Sequence, residues 1–288
     1  MSVIWGIPYL LIKVAVRDLP PFAIVAGRTL LAAVVLVPLA ANKGALRPVL
    51  KRWKPLLAFT ILEMAVPWLL LTNAEKRLPS GLTGLLVATV PLIATIVAFA
   101  LGDRAVLRPV RLAGIAVGIA GVGVLVGLGG DGGSLHTWSV VQVLLVAVGY
   151  ASAPFIATRL LGDVPALGVV ALSLAAVAVS FTPVAIATRP DDMPPWGAVW
   201  SVVGLAVICT GVAFIVFFAL LEEVGPTTAP LITFVNPAVA LSLGVILLGE
   251  AITAGLVLGF PLVLAGCWLA TRGPAGVAAP TEPVAAPA

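Results

Sequence analysis

Long apolar stretches, each closed by a short polar or proline-rich break, recur along the whole chain. Crossing about 30 Å of hydrocarbon at 1.5 Å per residue takes about 20 apolar residues in a helix. Ten runs approach that length, near 2–17, 21–41, 55–74, 80–101, 109–128, 137–158, 166–187, 198–220, 227–248 and 252–271. The breaks between them, such as "RDLPP", "NKGALRP", "EKRLPSG", "GLGGDGG", "RPDDMPP" and "EEVGPT", carry the charges and turn formers. The runs are too long and too evenly apolar for barrel strands of about ten alternating residues. The pattern therefore predicts an all-α membrane protein with ten transmembrane helices. The first run is short, so that helix is either cut at Met1 or begins further upstream. It does not read as a cleaved signal peptide, because no basic segment precedes it and no A-x-A site follows.

Composition agrees. Of 288 residues 61% are hydrophobic and only 10% charged, with mean hydropathy +1.20, whereas a soluble domain has about a quarter charged residues. Basic residues give an orientation. With the N-terminus inside, Lys43, Arg47, Lys51, Arg52, Lys54, Arg104, Arg108, Arg111, Arg159 and Arg272 fall on the cytoplasmic side, and only Arg17, Lys76, Arg77 and Arg189 fall outside. Both termini are then expected in the cytoplasm. The net charge of +4 reflects this asymmetry and contact with anionic lipid, so no nucleic-acid partner is expected. Cys209 and Cys267 fall inside runs without metal-ligand spacing and read as packing residues. The tail 273–288 is Pro-rich and expected to be disordered.

The chain also repeats itself. Pro8 aligns with Pro154, Lys13 with Arg159, Pro38 with Pro183, Pro91 with Pro237, "LGD" 101–103 with "LGE" 248–250, Gly114 with Gly259 and Gly121 with Gly266, all at offsets of 145 to 147. Two units follow, 1–130 and 131–272. Five runs in each is an odd number, so the second unit enters the membrane from the opposite side. Such inverted repeats are an architecture of secondary transporters that alternate access around a midplane site.

At these residues the chain resembles the EamA type of the drug/metabolite transporter superfamily. The resemblance rests on "WGIPYLLIK", "PPFAIVAGRTLLAAVVL", "VPLIATIVAFALGDR" and "TFVNPAVALSLGVILLGEAITAGLVLGFPLVLAG". It implies ten helices in two five-helix repeats and export of small metabolites such as amino acids across the bacterial inner membrane. It further implies a central cavity lined by the first four helices of each half. The fifth helices, with Gly114-x-x-x-Gly118 and Gly255-x-x-x-Gly259, would pack peripherally.

Charges within a span are costly, about 2.5–3.5 kcal/mol at the centre on insertion scales. Three stand out: Lys13, four residues from the outer end of the first run, Arg28 in "GRTLL", and Glu63 near the middle of the third run. Lys13 either reaches the interface or faces the cavity. Glu63 lies about 6 Å from Arg28 in depth. It is either the structural ion-pair partner of Arg28 or a protonatable site that couples transport to protons. Its equivalent in the second unit is Thr210. Helical spacing sets Asn73 on the face of Glu63, Val66 and Leu70. Pro91, and Asn236 with Pro237, mark mid-span sites where a freed carbonyl either faces the cavity or is a packing kink. Trp5, Trp68, Tyr150, Phe214 and Phe217 are candidate cavity aromatics. No metalloprotease, nucleophile-elbow or phosphate-loop motif occurs, and the one histidine, His136, falls between the units. No enzyme activity, cofactor or metal is expected. A secondary transporter of small molecules in the bilayer, working as a monomer because the repeats are fused, is the leading reading. An intramembrane lipid-modifying enzyme and a non-transporting scaffold are the other two.

Overall fold

The computed structural model describes residues 1–128, 136–224 and 232–272, and every regular element among them is helical. The expected disordered tail lies outside the described residues, as do the loop 129–135 and the start of the ninth run. Among the described residues, eight helices are long and apolar enough to cross a membrane, and two shorter apolar stretches, Ser2–Ala15 and Phe234–Leu248, accompany them.

In chain order the elements are α1 Ser2–Ala15, α2 Pro21–Asn42, the short α3 Leu46–Leu50, and a third span made of α4 Trp53–Thr60, a π-helical turn Ile61–Ala65 and α5 Val66–Ala74. The fourth span is α6 Ser80–Val87 and α7 Val90–Ala100, followed by α8 Pro109–Gly127. Then come α9 Thr137–Leu160 and α10 Ala166–Ala187. The next span is α11 Trp196–Ala206, a second π-helical turn Val207–Val212 and α12 Ala213–Val224, and α13 Ile232–Leu248 and α14 Ala254–Thr271 complete the chain. Prolines open α2 and α8, where a missing N–H costs nothing.

Helices from the two parts of the chain pack against one another more than within each part. α8 runs along α14, α2 along α10, α1 against α11 and α13, and α9 against α5 and α7. The α8–α14 seam is knit by glycines: a Cβ on Gly121 would meet the Val263 amide nitrogen at 2.8 Å, and Gly114 lies against Gly266 and Ala270. Without a hydrophobic drive between helices in lipid, such backbone approach is what holds a pair together. The outer surface is apolar, with Val34, Ile119, Val179 and Ile246 more than half exposed, as a lipid-facing belt requires.

The chain turns sharply after α7 and α13 at matching glycines. Gly102 and Gly249 have φ of 102° and 66°, a region closed to most side chains. Each is followed by an acid, Asp103 or Glu250. The π-helical turns match as well, since 207 follows 61 by 146 and 212 follows 65 by 147.

Candidate functional site

Two polar groups lie inside this apolar bundle, one at mid-depth and one at the end that carries the α5–α6 turn. Mid-depth is governed by Arg28 on α2, only 7% exposed. Its Nε donates to Thr210 Oγ1 at 2.8 Å, and its guanidinium lies 3.7 Å over the Trp68 ring. Thr210 can accept because of the π-helical turn: its hydroxyl donates to the Leu205 carbonyl, five residues back, at 2.8 Å. That leaves an oxygen lone pair directed at α2. A charge-assisted hydrogen bond of about 1.5–3 kcal/mol and a cation–π contact of about 0.5–2 kcal/mol together match the insertion cost of the guanidinium. Tyr150 packs against the same cluster as Trp68. On the other side of the bundle, Thr60 and Ser173 share a 2.7 Å hydroxyl bond between α4 and α10.

The expected Arg28–Glu63 pair does not form. Depth counting fixes height but not azimuth, and α2 turns this side chain toward the π-helical turn Val207–Val212 rather than toward Ile61–Ala65. Glu63 is partly exposed, makes no hydrogen bond or ion pair with a described residue, and has Tyr150 as the titratable group facing it. The expected shared face also fails. The π-helical turn closes i→i+5 bonds and shifts the phase, so Val66 is 44% exposed, Leu70 packs into the core, and Asn73 Nδ2 donates to Gln142 Oε1 on α9 at 3.2 Å.

The prolines differ from one another. The fourth span breaks at Ala88–Thr89 just ahead of Pro91, and the loosened carbonyls are taken up by Cys267 Sγ on Ala88 O at 3.1 Å and by Thr89 Oγ1 on Leu86 O at 2.7 Å. Pro237 lies inside a continuous α13. The Asn236 carbonyl lies against Gly6 of α1, where a Cβ would meet it at 3.2 Å. Trp5 stacks on Phe217 with centroids 4.9 Å apart, and Phe214 packs on the core around Met64 and Trp68. Arg28, Trp68, Tyr150 and Phe214 are thus brought together, while Lys13 and Asn73 lie elsewhere.

Lys13 belongs to the second group. It donates to the carbonyls of Glu75 and Leu78 at 2.8 and 2.7 Å, tying α1 to the α5–α6 turn. Glu250 closes the same end. Its carboxylate accepts from Ser80 N at 2.7 Å, Ser80 Oγ at 2.9 Å and Gly81 N at 3.2 Å, capping the positive end of α6. Glu75, between them, is fully buried. Arg77 and His136 pair at the exposed rim. At the opposite end Arg52 and Asp163 form an exposed ion pair at 2.5 Å, and Arg111 Nε donates to Arg272 O at 3.1 Å.

Sequence reasoning missed Gln142, Thr210 as a partner, Glu75 and Glu250. Gln142 was legible as the one glutamine of the chain, set inside an apolar run. Glu250 was visible only as half of a repeat, and Glu75 as a residue closing a run.

The model of the EamA-like transporter family matches residues 1–127 and again residues 137–272. Among curated proteins the chain is similar to the "Uncharacterized inner membrane transporter YedA" of Escherichia coli (strain K12), 27% identical over 291 residues, covering 100% of this chain and 92% of the relative. It is also similar to the "Uncharacterized transporter YoaV" of Bacillus subtilis (strain 168), 25% identical, covering 94% of each. A solved crystal structure shares the fold, with TM-score 0.65 at 23% identity over 94% of both chains. With two matches that together span nearly all of its described residues, the chain belongs to the EamA-like transporter family: it is a multi-pass membrane transporter with duplicated halves, and not an enzyme.

Proposed function

We propose that the protein is a secondary transporter exporting small amphipathic metabolites, amino acids among them, by alternating access between two inverted five-helix repeats. In this reading ten helices cross the inner membrane, both termini are cytoplasmic, and one chain is the working unit. The observation that carries it is the matched pair of π-helical turns 146 to 147 residues apart, one bearing Glu63 and the other Thr210. Helices that trade partners across the halves, α1 with α13 and α9 with α7, support the same symmetry.

Arg28 is the anchor for the substrate. Its one hydrogen bond to a described residue uses Nε, which leaves the paired terminal nitrogens to take a carboxylate in the bidentate manner. Trp68, Tyr150 and Phe214 supply the apolar and aromatic surround, and Glu63 supplies a protonatable group facing Tyr150. A zwitterion with an apolar side chain fits this set, with protons as the coupling ion.

Purified protein in liposomes should carry such an amino acid without ATP. Strict dependence on ATP, or no flux across a panel of apolar and aromatic amino acids, would refute the reading.

A further inference from the structure

Glu75 is an acid enclosed by the end of the bundle that Lys13 and Glu250 hold together. It follows α5 directly, is 0% exposed, and neither carboxyl oxygen has a hydrogen-bond partner among the described residues. The Lys13 ammonium is committed to the carbonyls of Glu75 and Leu78 rather than to the carboxyl. The titratable groups facing it are Tyr9 and Lys13 from α1 and Glu250 from the turn after α13. Arg28 of α2 acts on Tyr9 from below. On α9, Gln142 is held by Asn73, and His136 pairs with Arg77 at the rim.

An ionised carboxylate without a donor or water is untenable in such a place; it either takes a proton or admits solvent. We propose that Glu75 is a proton site that holds this end of the transporter shut: protonated, it lets α1, α5 and α6 stay packed, and ionised, it drives water in and parts them. The proposal rests on the alternating-access reading and adds the ligand and the residue that govern one gate. The direction is set by burial, which pushes the Glu75 carboxyl up, with Lys13 opposing and Glu250 reinforcing. An opened gate returns the carboxyl to its ordinary range. The closed form is therefore most favoured in acid, and its advantage falls about tenfold per pH unit between the ordinary and the raised value.

The test is the reactivity of a Thr83→Cys thiol in the full-length protein toward a charged methanethiosulfonate. Thr83 is 0% exposed on α6, one turn in from Pro79. Rates are divided by those of the unfolded protein at each pH, to remove the titration of the thiol itself. The parent, whose Cys209 and Cys267 are buried, supplies the background.

The normalised rate should rise at least about tenfold from about pH 5 to about pH 8. It should stay low throughout in Glu75→Gln, and keep a rise with a displaced midpoint in Glu75→Asp. His136→Ala should leave the profile unchanged. A flat profile in Thr83→Cys, a profile retained in Glu75→Gln, an unmoved midpoint in Glu75→Asp, or loss of the rise in His136→Ala overturns the proposal. If Glu75→Gln does not fold, the aspartate and His136 variants decide. Liposome flux separates the two readings, since flux with flat labelling removes only the gate, and absent flux removes the transport reading whatever the labelling shows.

Discussion

Arg28 shows how one buried charge is made tolerable without a counter-charge. Its partners are a hydroxyl and an indole face, so the strength of the arrangement depends on Thr210 accepting. Thr210→Val, nearly the same shape, should cost about 1–3 kcal/mol, because an Arg N–H is left without an acceptor. A lowered Tm in detergent, with Thr210→Ser close to the parent, is the expected result. Glu63 makes no bond to Arg28, so Glu63→Gln should fold like the parent, and adding Arg28→Gln should restore nothing. As a coupling site, Glu63→Gln should still exchange substrate while losing uphill flux driven by a pH gradient. A fall in folded yield that Arg28→Gln repairs would show that the two residues pair after all. Depth along a helix is readable from a sequence, and that put Arg28 and Glu63 near one level. Which neighbour each side chain meets depends on helix rotation, which apolar runs this uniform do not encode.

Among the elements, the π-helical turns were the least legible. In the first, Pro67 lacks the amide that would close an α-helical bond onto the Glu63 carbonyl. The second has no proline in Val207–Val212, so the two turns share no sequence mark. The spans themselves were legible because length and apolarity are demanded by the bilayer, but proline alone did not mark the breaks, since the fourth span breaks ahead of Pro91 while α13 runs on through Pro237. Close backbone packing of the fifth helices was expected from the resemblance and the glycine spacing, their pairing with each other as α8 and α14 was not, and the seam carries its own prediction. Gly121→Leu places a branched side chain where Val263 N stands 2.8 Å from a Cβ. Backbone atoms cannot move aside as a flexible side chain can, so a loss of at least about 1–3 kcal/mol follows. Size-exclusion chromatography should show a sharp fall in monodisperse protein, while Gly123→Leu, where a Cβ meets nothing within 4 Å, should leave it unchanged.

For the whole molecule, the proposed inverted arrangement makes a demand on topology. Reporters fused after Lys54 and Arg111 should read cytoplasm, and those after Arg77 and Asp192 the outside; a loop at 43–54 found outside would contradict two halves of opposite sense. The duplicated halves were legible from Pro, Gly and "LGD"/"LGE" matches, because turns and close approaches constrain residue type even where apolar positions interchange freely. What the matches could not convey is how unequal the halves are at their centre. Thr210, which receives Arg28, stands at the position that Glu63 holds in the first half. Two separate copies of residues 1–127 assembled in the same manner would therefore set Glu63 of each copy opposite Arg28 of the other. A symmetric homodimer would be cross-linked at its heart by two ion pairs. In the fused chain the Arg28 guanidinium meets Thr210 instead, and Glu63 makes no ion pair with a described residue. Thr210→Glu should consequently be accepted beside Arg28, with a Tm in detergent above that of Thr210→Val.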